Sequence, residues 1–240
     1  MPINLKKLQA YARRKLQITS PVEWDSVSKG RTSQMESSYL SARFNGKSHI
    51  ISYSNVSSLN QTDVFHALCI AKLNEMGFTT IEAAALDSIR ICTKDDPKFI
   101  VDANSAETIV VETYANSLLF FHFPDESKVQ RERMILRFES SDALTTLHTQ
   151  MGFWGTAGVS YHRAASNNSN IPFPNDLIEK AMQRASDGVE IKKEYDAINL
   201  LLEELPKIDV QVERLTPEDS IRIVDLMVRL FSAKTGLECA

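Results

Sequence analysis

The segment 61–76 carries both start and stop signals for an α-helix. Asn60 precedes it as a candidate N-cap, and Asp63 stands three residues later, as in a capping box. Gly77 follows at the position where a left-handed residue is favoured. Apolar side chains recur between these signals at helical spacing and form a broad stripe: Val64, Phe65, Leu68, Cys69, Leu73 and Met76.

The rest of the chain is mainly helical in pattern, with one β-hairpin. Asn45-Gly46 separates the segments 39–44 and 48–53, and this dipeptide predicts a type I′ turn, whose two central residues need positive φ. A short strand is predicted at 98–101. Further helices are predicted at 4–17, 79–89, 105–121, 126–138, 141–151, 176–185, 189–205 and 217–234. Because strands and helices do not alternate, the pattern favours a helix-rich α+β fold with a small antiparallel sheet.

The segment 152–175 interrupts the helical pattern with glycines, an Asn/Ser-rich stretch and two prolines, which is typical of a linker or a loop. This interruption predicts an α+β domain at 1–165 and a helical extension at 174–240. The extension is expected to be packed on the domain or hinged to it. A single domain is the alternative.

Composition excludes several classes of protein. With 43% hydrophobic and 24% charged residues, the chain resembles a globular protein rather than a disordered or collagen-like one. A net charge of −4 argues against a dedicated nucleic-acid binder. No segment has the pattern of a signal peptide or a membrane span, so we expect a cytoplasmic protein without a membrane partner. Cys69, Cys92 and Cys239 are far apart and odd in number, which predicts reduced thiols.

One motif-like constellation bears on function. Residues 66–70 read His66-Ala67-Leu68-Cys69-Ile70, and the later helix contains Glu112-Thr113-Tyr114-Ala115-Asn116. The first segment resembles the HExxH helix of short gluzincin-type zinc metallopeptidases, and the second resembles their ExxAD-like helix, which supplies the third zinc ligand. The resemblance covers roughly residues 39–125. It implies a zincin-like core in which His66 and Glu112 occupy ligand positions.

Two positions of the motif differ from the gluzincin pattern, and they change the function that the resemblance implies. Ala67 stands where the general base should be, and a methyl group cannot accept a proton from water. Ile70 stands where the second histidine should be and cannot ligate a metal. A hydrolytic zinc needs three protein ligands, and a general base contributes about 10²–10⁴-fold in rate. The resemblance therefore implies no catalytic residue and no cofactor, with residual ligand positions at His66 and Glu112. A zinc site completed by Cys69 is the alternative.

The sequence thus predicts a catalytically inactive, metallopeptidase-like protein that binds a protein or peptide and no nucleic acid. Aromatic and arginine side chains often anchor interfaces, so the loop that follows residue 151 supplies the binding candidates Trp154, Tyr161, His162 and Arg163. Two other functions stay open: a metal-dependent peptidase with an atypical zinc site, and a regulatory helical protein without zincin ancestry. The separation of His66 and Glu112 bears on this choice, because ligands that share a zinc lie within about 5 Å of each other.

Overall fold

The structure is a computed structural model that describes residues 4–26, 40–53, 59–126, 128, 129, 132, 200–206 and 214–239. The helices are α1 (Leu5–Leu16), α2 (Gln61–Met76), α3 (Phe78–Thr93), α4 (Ile100–His122) and α5 (Pro217–Thr235), with a 3₁₀ turn at Pro97–Phe99. The strands are β1 (Val22–Ser26), β2 (Leu40–Phe44) and β3 (His49–Tyr53). A helix-rich α+β architecture is therefore confirmed, and the sheet is mixed rather than antiparallel.

Helix α2 begins and ends where its sequence signals place it. The Asp63 backbone N–H donates to Asn60 Oδ1, and the Asn60 N–H donates to Asp63 Oδ2, both at 3.0 Å. These reciprocal bonds satisfy two amides that the first turn leaves without helical partners. Gly77 closes the helix with a φ of 109°, a conformation that costs glycine little because it lacks a Cβ.

The sheet has the order β1-β3-β2, so β3 is the central strand. Strands β2 and β3 pair antiparallel as the predicted hairpin, with Phe44 opposite His49. The prediction of a type I′ turn is wrong, because φ is positive at Gly46 (89°) and not at Asn45. The Asn45 N–H donates to the Ser48 carbonyl at 3.1 Å, so the turn is centred on Gly46 and Lys47. The Asn45 side chain closes the turn, because its Oδ1 accepts hydrogen bonds from the Lys47 N–H at 2.9 Å and the Ser48 N–H at 2.8 Å.

Strand β1 was not predicted from the sequence, and it pairs parallel to β3 with Val22 opposite His49. The strand predicted at 98–101 is wrong. Pro97 starts a 3₁₀ turn there, the Asp96 side chain accepts a hydrogen bond from the Lys98 N–H at 3.1 Å, and α4 begins directly afterwards. The local capping of this turn outweighs the strand propensity of the apolar residues that follow it.

A single hydrophobic cluster joins these elements. Helix α2 packs against α1, α3, α4 and β2, and α5 packs against α3 and α4. Buried α5 residues such as Leu226 and Phe231 belong to the same cluster as Leu68 of α2. The described part of the predicted C-terminal extension therefore shares its core with the N-terminal helices. The predicted linker 152–175 and the predicted helices at 141–151 and 176–185 lie outside the described residues.

The prediction of three reduced cysteines is wrong for two of them. Cys92, in the last turn of α3, and Cys239, after α5, form a disulfide with an S–S distance of 2.10 Å. The cysteines are 147 positions apart in sequence and become neighbours only because α3 and α5 run side by side. Cys69 stays a free, buried thiol. Among the described helices, none is long and apolar enough to cross a membrane.

A buried ion pair fixes α5 against α4. Lys234 Nζ lies 2.9 Å from Asp102 Oδ1, and the side chains are only 5% and 14% exposed. We predict that Lys234→Met lowers the free energy of unfolding by about 3–5 kcal/mol, because it leaves a carboxylate in a site of low exposure without its cation. The exposed pair between Arg229 and Glu204, at 2.6 Å, offers the matched control. Arg229→Met should cost about 0–1 kcal/mol. Urea unfolding of both variants checks the difference, and equal losses would contradict this role of the Lys234 pair.

Candidate functional site

The two residues singled out by the motif meet between α2 and α4. His66 Nε2 lies 2.9 Å from Glu112 Oε2, and the side chains are 15% and 22% exposed. The two helices run antiparallel, since the start of α2 lies beside the end of α4. Thr62, one turn before His66 on α2, donates a hydrogen bond to the carboxylate of Glu126, which follows α4. Gln61 donates to the other oxygen of the same carboxylate at 2.6 Å. These contacts to Glu126 fix the N-terminal turn of α2 beside the end of α4, which positions His66 opposite Glu112.

The other motif positions face different surroundings. Ala67 is fully buried in the hydrophobic cluster, whereas Ile70, one turn after His66, is half-buried. Cys69 is also fully buried, and burial raises the pKa of its thiol well above its usual range. His66, Cys69 and Glu112 also do not form a group that could hold a metal ion together. This geometry gives no support to a zinc site completed by Cys69.

One buried polar atom lies on the same stretch of α4. Asn116, one turn after Glu112, is 1% exposed, and its Oδ1 accepts no hydrogen bond from the described residues. Asn116 is the last residue of the segment that resembles the gluzincin ExxAD helix, where that family carries an aspartate. An amide there brings no negative charge to the α2–α4 interface.

In the described part of the chain, this pair offers two of the three protein ligands that a hydrolytic zinc needs. Two ligand atoms on one tetrahedral zinc are about 3.3–3.6 Å apart, given bonds of roughly 2.0–2.2 Å. His66 Nε2 and Glu112 Oε2 lie 2.9 Å apart and contact each other directly, which is within the roughly 5 Å expected of residues that share a zinc. Among the described residues, no group of three or more His, Cys, Asp or Glu side chains converges on one point. Within this part of the chain, the geometry brings together two donors and supplies neither the third ligand nor the base.

A cleft of about 970 Å³ lies elsewhere, between α3, α5 and the end of α2. Its lining residues do not include His66 or Glu112. Apolar side chains, among them Met76, Ile81, Val224 and Val228, lie beside polar and charged ones such as Thr80 and Arg229. A mainly apolar cleft with a few polar groups is the usual form of a ligand site. Because the cleft depends on α5 packing beside α3, the sequence pattern gave no indication of it.

Glu75, at the end of α2, borders the cleft and fixes the chain between α1 and β1. Its Oε1 accepts hydrogen bonds from the Ser20 N–H at 2.7 Å and the Thr19 N–H at 3.0 Å. The fully buried His49 of β3 lies 3.3 Å from the same oxygen. Burial raises the pKa of Glu75, but the hydrogen bonds from Ser20, Thr19 and His49 outweigh it, so the pKa is lowered. Burial lowers the pKa of His49 more than Glu75 raises it.

The predicted binding residues Trp154, Tyr161, His162 and Arg163 lie outside the described residues. Neither family models, nor curated proteins, nor solved structures give a match to this chain.

The cluster of His49 and Glu75 makes stability depend on pH. The unfolded chain protonates His49 below about pH 6.5, whereas the folded protein resists this, so stability falls as the pH drops through that region. Glu75 adds a second loss below about pH 4.5, because its folded pKa is lowered.

We predict that Glu75→Gln lowers stability at pH 7 by about 1–3 kcal/mol, because backbone donors lose a charged acceptor. It should also flatten the decline below about pH 4.5, because the wild-type carboxylate, whose folded pKa is lowered, takes up its proton there. Urea unfolding at a series of pH values measures both effects. A variant with an unchanged slope below pH 4.5 would contradict the assignment.

Proposed function

We propose that this protein is a zincin-like protein without hydrolytic activity that binds a protein or peptide. The contact of His66 with Glu112 carries the proposal, because it joins the residues at two ligand positions of the motif across α2 and α4. The neighbouring positions that would supply the base and the second histidine hold Ala67 and Ile70. This combination is what a zincin-like core would retain after losing its chemistry.

The cleft between α3 and α5 supports binding as the function. Its volume of about 970 Å³ is at the upper end of the range for small-molecule pockets, so the cleft is large enough to hold a peptide segment. Ile221 of α5 lines it and is 69% exposed, so a large apolar side chain faces water there. Covering such a side chain with a partner's apolar group is favourable by roughly 1.5–3 kcal/mol.

We predict that peptides selected from a display library bind the cleft. Ile221→Glu should weaken the selected peptides at least about 10-fold, because a carboxylate would have to be desolvated in the apolar contact. Ile91→Glu is the matched control, since Ile91 is 81% exposed and is not among the residues that line the cleft. Its affinity should change less than about 2-fold. Calorimetric titration of both variants measures this. Equal affinities for Ile221→Glu and the wild type would count against the cleft.

A metal-dependent peptidase is the second candidate, favoured by the proximity of His66 and Glu112. Elemental analysis of the purified protein distinguishes the two functions. We expect less than stoichiometric zinc and no cleavage of a peptide library, because two protein ligands hold zinc far more weakly than three. Stoichiometric zinc that is lost in His66→Ala, together with peptide cleavage, would overturn the non-hydrolytic proposal.

We also propose a cytoplasmic location. The disulfide between Cys92 and Cys239 bears on this location. The cytosol keeps most thiols reduced, so a disulfide in a cytosolic protein is expected to be regulatory or transient. Fractionation of cells with thiols trapped at lysis measures both the location and the state of the pair.

A further inference from the structure

The three cysteines fall into two environments. Cys69 is fully buried in the core and has no cysteine partner. Cys92 and Cys239 are half-buried at the surface, with Cα atoms 5.5 Å apart. A thiol reductant can therefore reach the disulfide without prior unfolding, whereas Cys69 is protected.

The segment 236–239, which follows α5, depends on this disulfide for its attachment to α3. The Cys239 N–H donates to Ser232 Oγ and the Leu237 N–H to Thr235 Oγ1, both at 3.3 Å. Both acceptors belong to α5 itself. The covalent bond to Cys92 therefore joins the segment to the neighbouring helix, aided by the partial packing of Leu237 against the core and by the approach of Cys92 Sγ to the Glu238 carbonyl at 3.8 Å.

Helix α5, by contrast, is anchored without the disulfide. Ile223, Leu226 and Phe231 are buried in the common core, and the ring of Phe231 lies 6.0 Å from that of Phe99. Lys234 adds its ion pair with Asp102 of α4. At the other end, the Leu215 N–H donates to the Met76 carbonyl at 3.1 Å. Breaking the disulfide thus removes a constraint on the segment while the main contacts of the helix persist.

The disulfide also bounds the cleft. Cys239 lines the cleft together with Ser88, which lies one turn before Cys92 on α3. The position of the segment 236–239 therefore affects how far this end of the cleft is open.

We propose that Cys92 and Cys239 form a reversible thiol–disulfide site that holds the segment 236–239 against α3 when oxidised and releases it when reduced. The co-reactant is a dithiol reductant. One of its thiolates attacks a sulfur of the disulfide, and its second thiol resolves the mixed disulfide. The S–S bond of the protein breaks, both cysteines become thiols, and the reductant becomes a disulfide. Two electrons and two protons pass to the protein.

Native-state thiol labelling and hydrogen exchange test this proposal on the full chain, with dithiothreitol as the reductant. Iodoacetamide should label no cysteine in the oxidised protein and two after reduction, at Cys92 and Cys239. Amide exchange in 237–239 should rise at least about 10-fold on reduction, since the disulfide then no longer restricts the local opening of the segment. Exchange in the buried part of α5, 223–231, should change less than about 2-fold.

Variants complete the test. Cys92→Ser and Cys239→Ser should exchange like the reduced wild type and should not respond to dithiothreitol. Cys69→Ala is the control, and its response should match that of the wild type. The proposal is overturned if reduction exposes Cys69 and speeds exchange throughout α5, because the bond would then be a structural staple. It is equally overturned if the folded protein resists reduction, or if the exchange of 237–239 stays unchanged.

Discussion

The burial of α2 on most of its circumference is the constraint on which the other elements depend. Its apolar stripe contacts α1, α3, α4 and β2, and even Thr62 and Lys72 are buried there. A helix surrounded in this way cannot rotate about its axis without exposing apolar surface, at roughly 25 cal/mol per Å². The direction in which every α2 side chain projects is therefore fixed by the core.

Two of the polar contacts described above begin on this helix. His66 projects from one face towards Glu112 of α4, and Glu75 projects near the end towards Ser20 and His49. The first contact connects two helices, and the second connects the helix to the sheet and to the chain between α1 and β1. Glu75 therefore positions one border of the cleft, and this role does not involve His66.

Elements whose local start and stop signals are complete were predicted well from the sequence. Asn60, Asp63 and Gly77 set the bounds of α2, and Thr216 caps α5 by accepting a hydrogen bond from the Asp219 N–H at 3.1 Å. The hairpin was predicted because its strands are neighbours in sequence. Strand β1 was missed for two reasons. It has only five residues, which are too few to show a clear alternation. Its partner β3 is also distant in sequence, since Val22 pairs with His49, 27 positions later. At 98–101, the hydrogen bond from the Lys98 N–H to the Asp96 side chain favoured a 3₁₀ turn that leads into α4.

The sequence by itself determined the helical character of the chain, the caps, and the residue types at the motif, including the alanine and isoleucine that stand at the base and ligand positions. These properties are local, since they follow from side-chain chemistry and from backbone hydrogen bonds within a few residues. Only the tertiary structure decided that His66 touches Glu112, that Cys92 bonds to Cys239, and that a cleft lies between α3 and α5. Each of these depends on how separate helices pack side by side, because packing brings together residues whose distance along the chain carries no signal of their proximity.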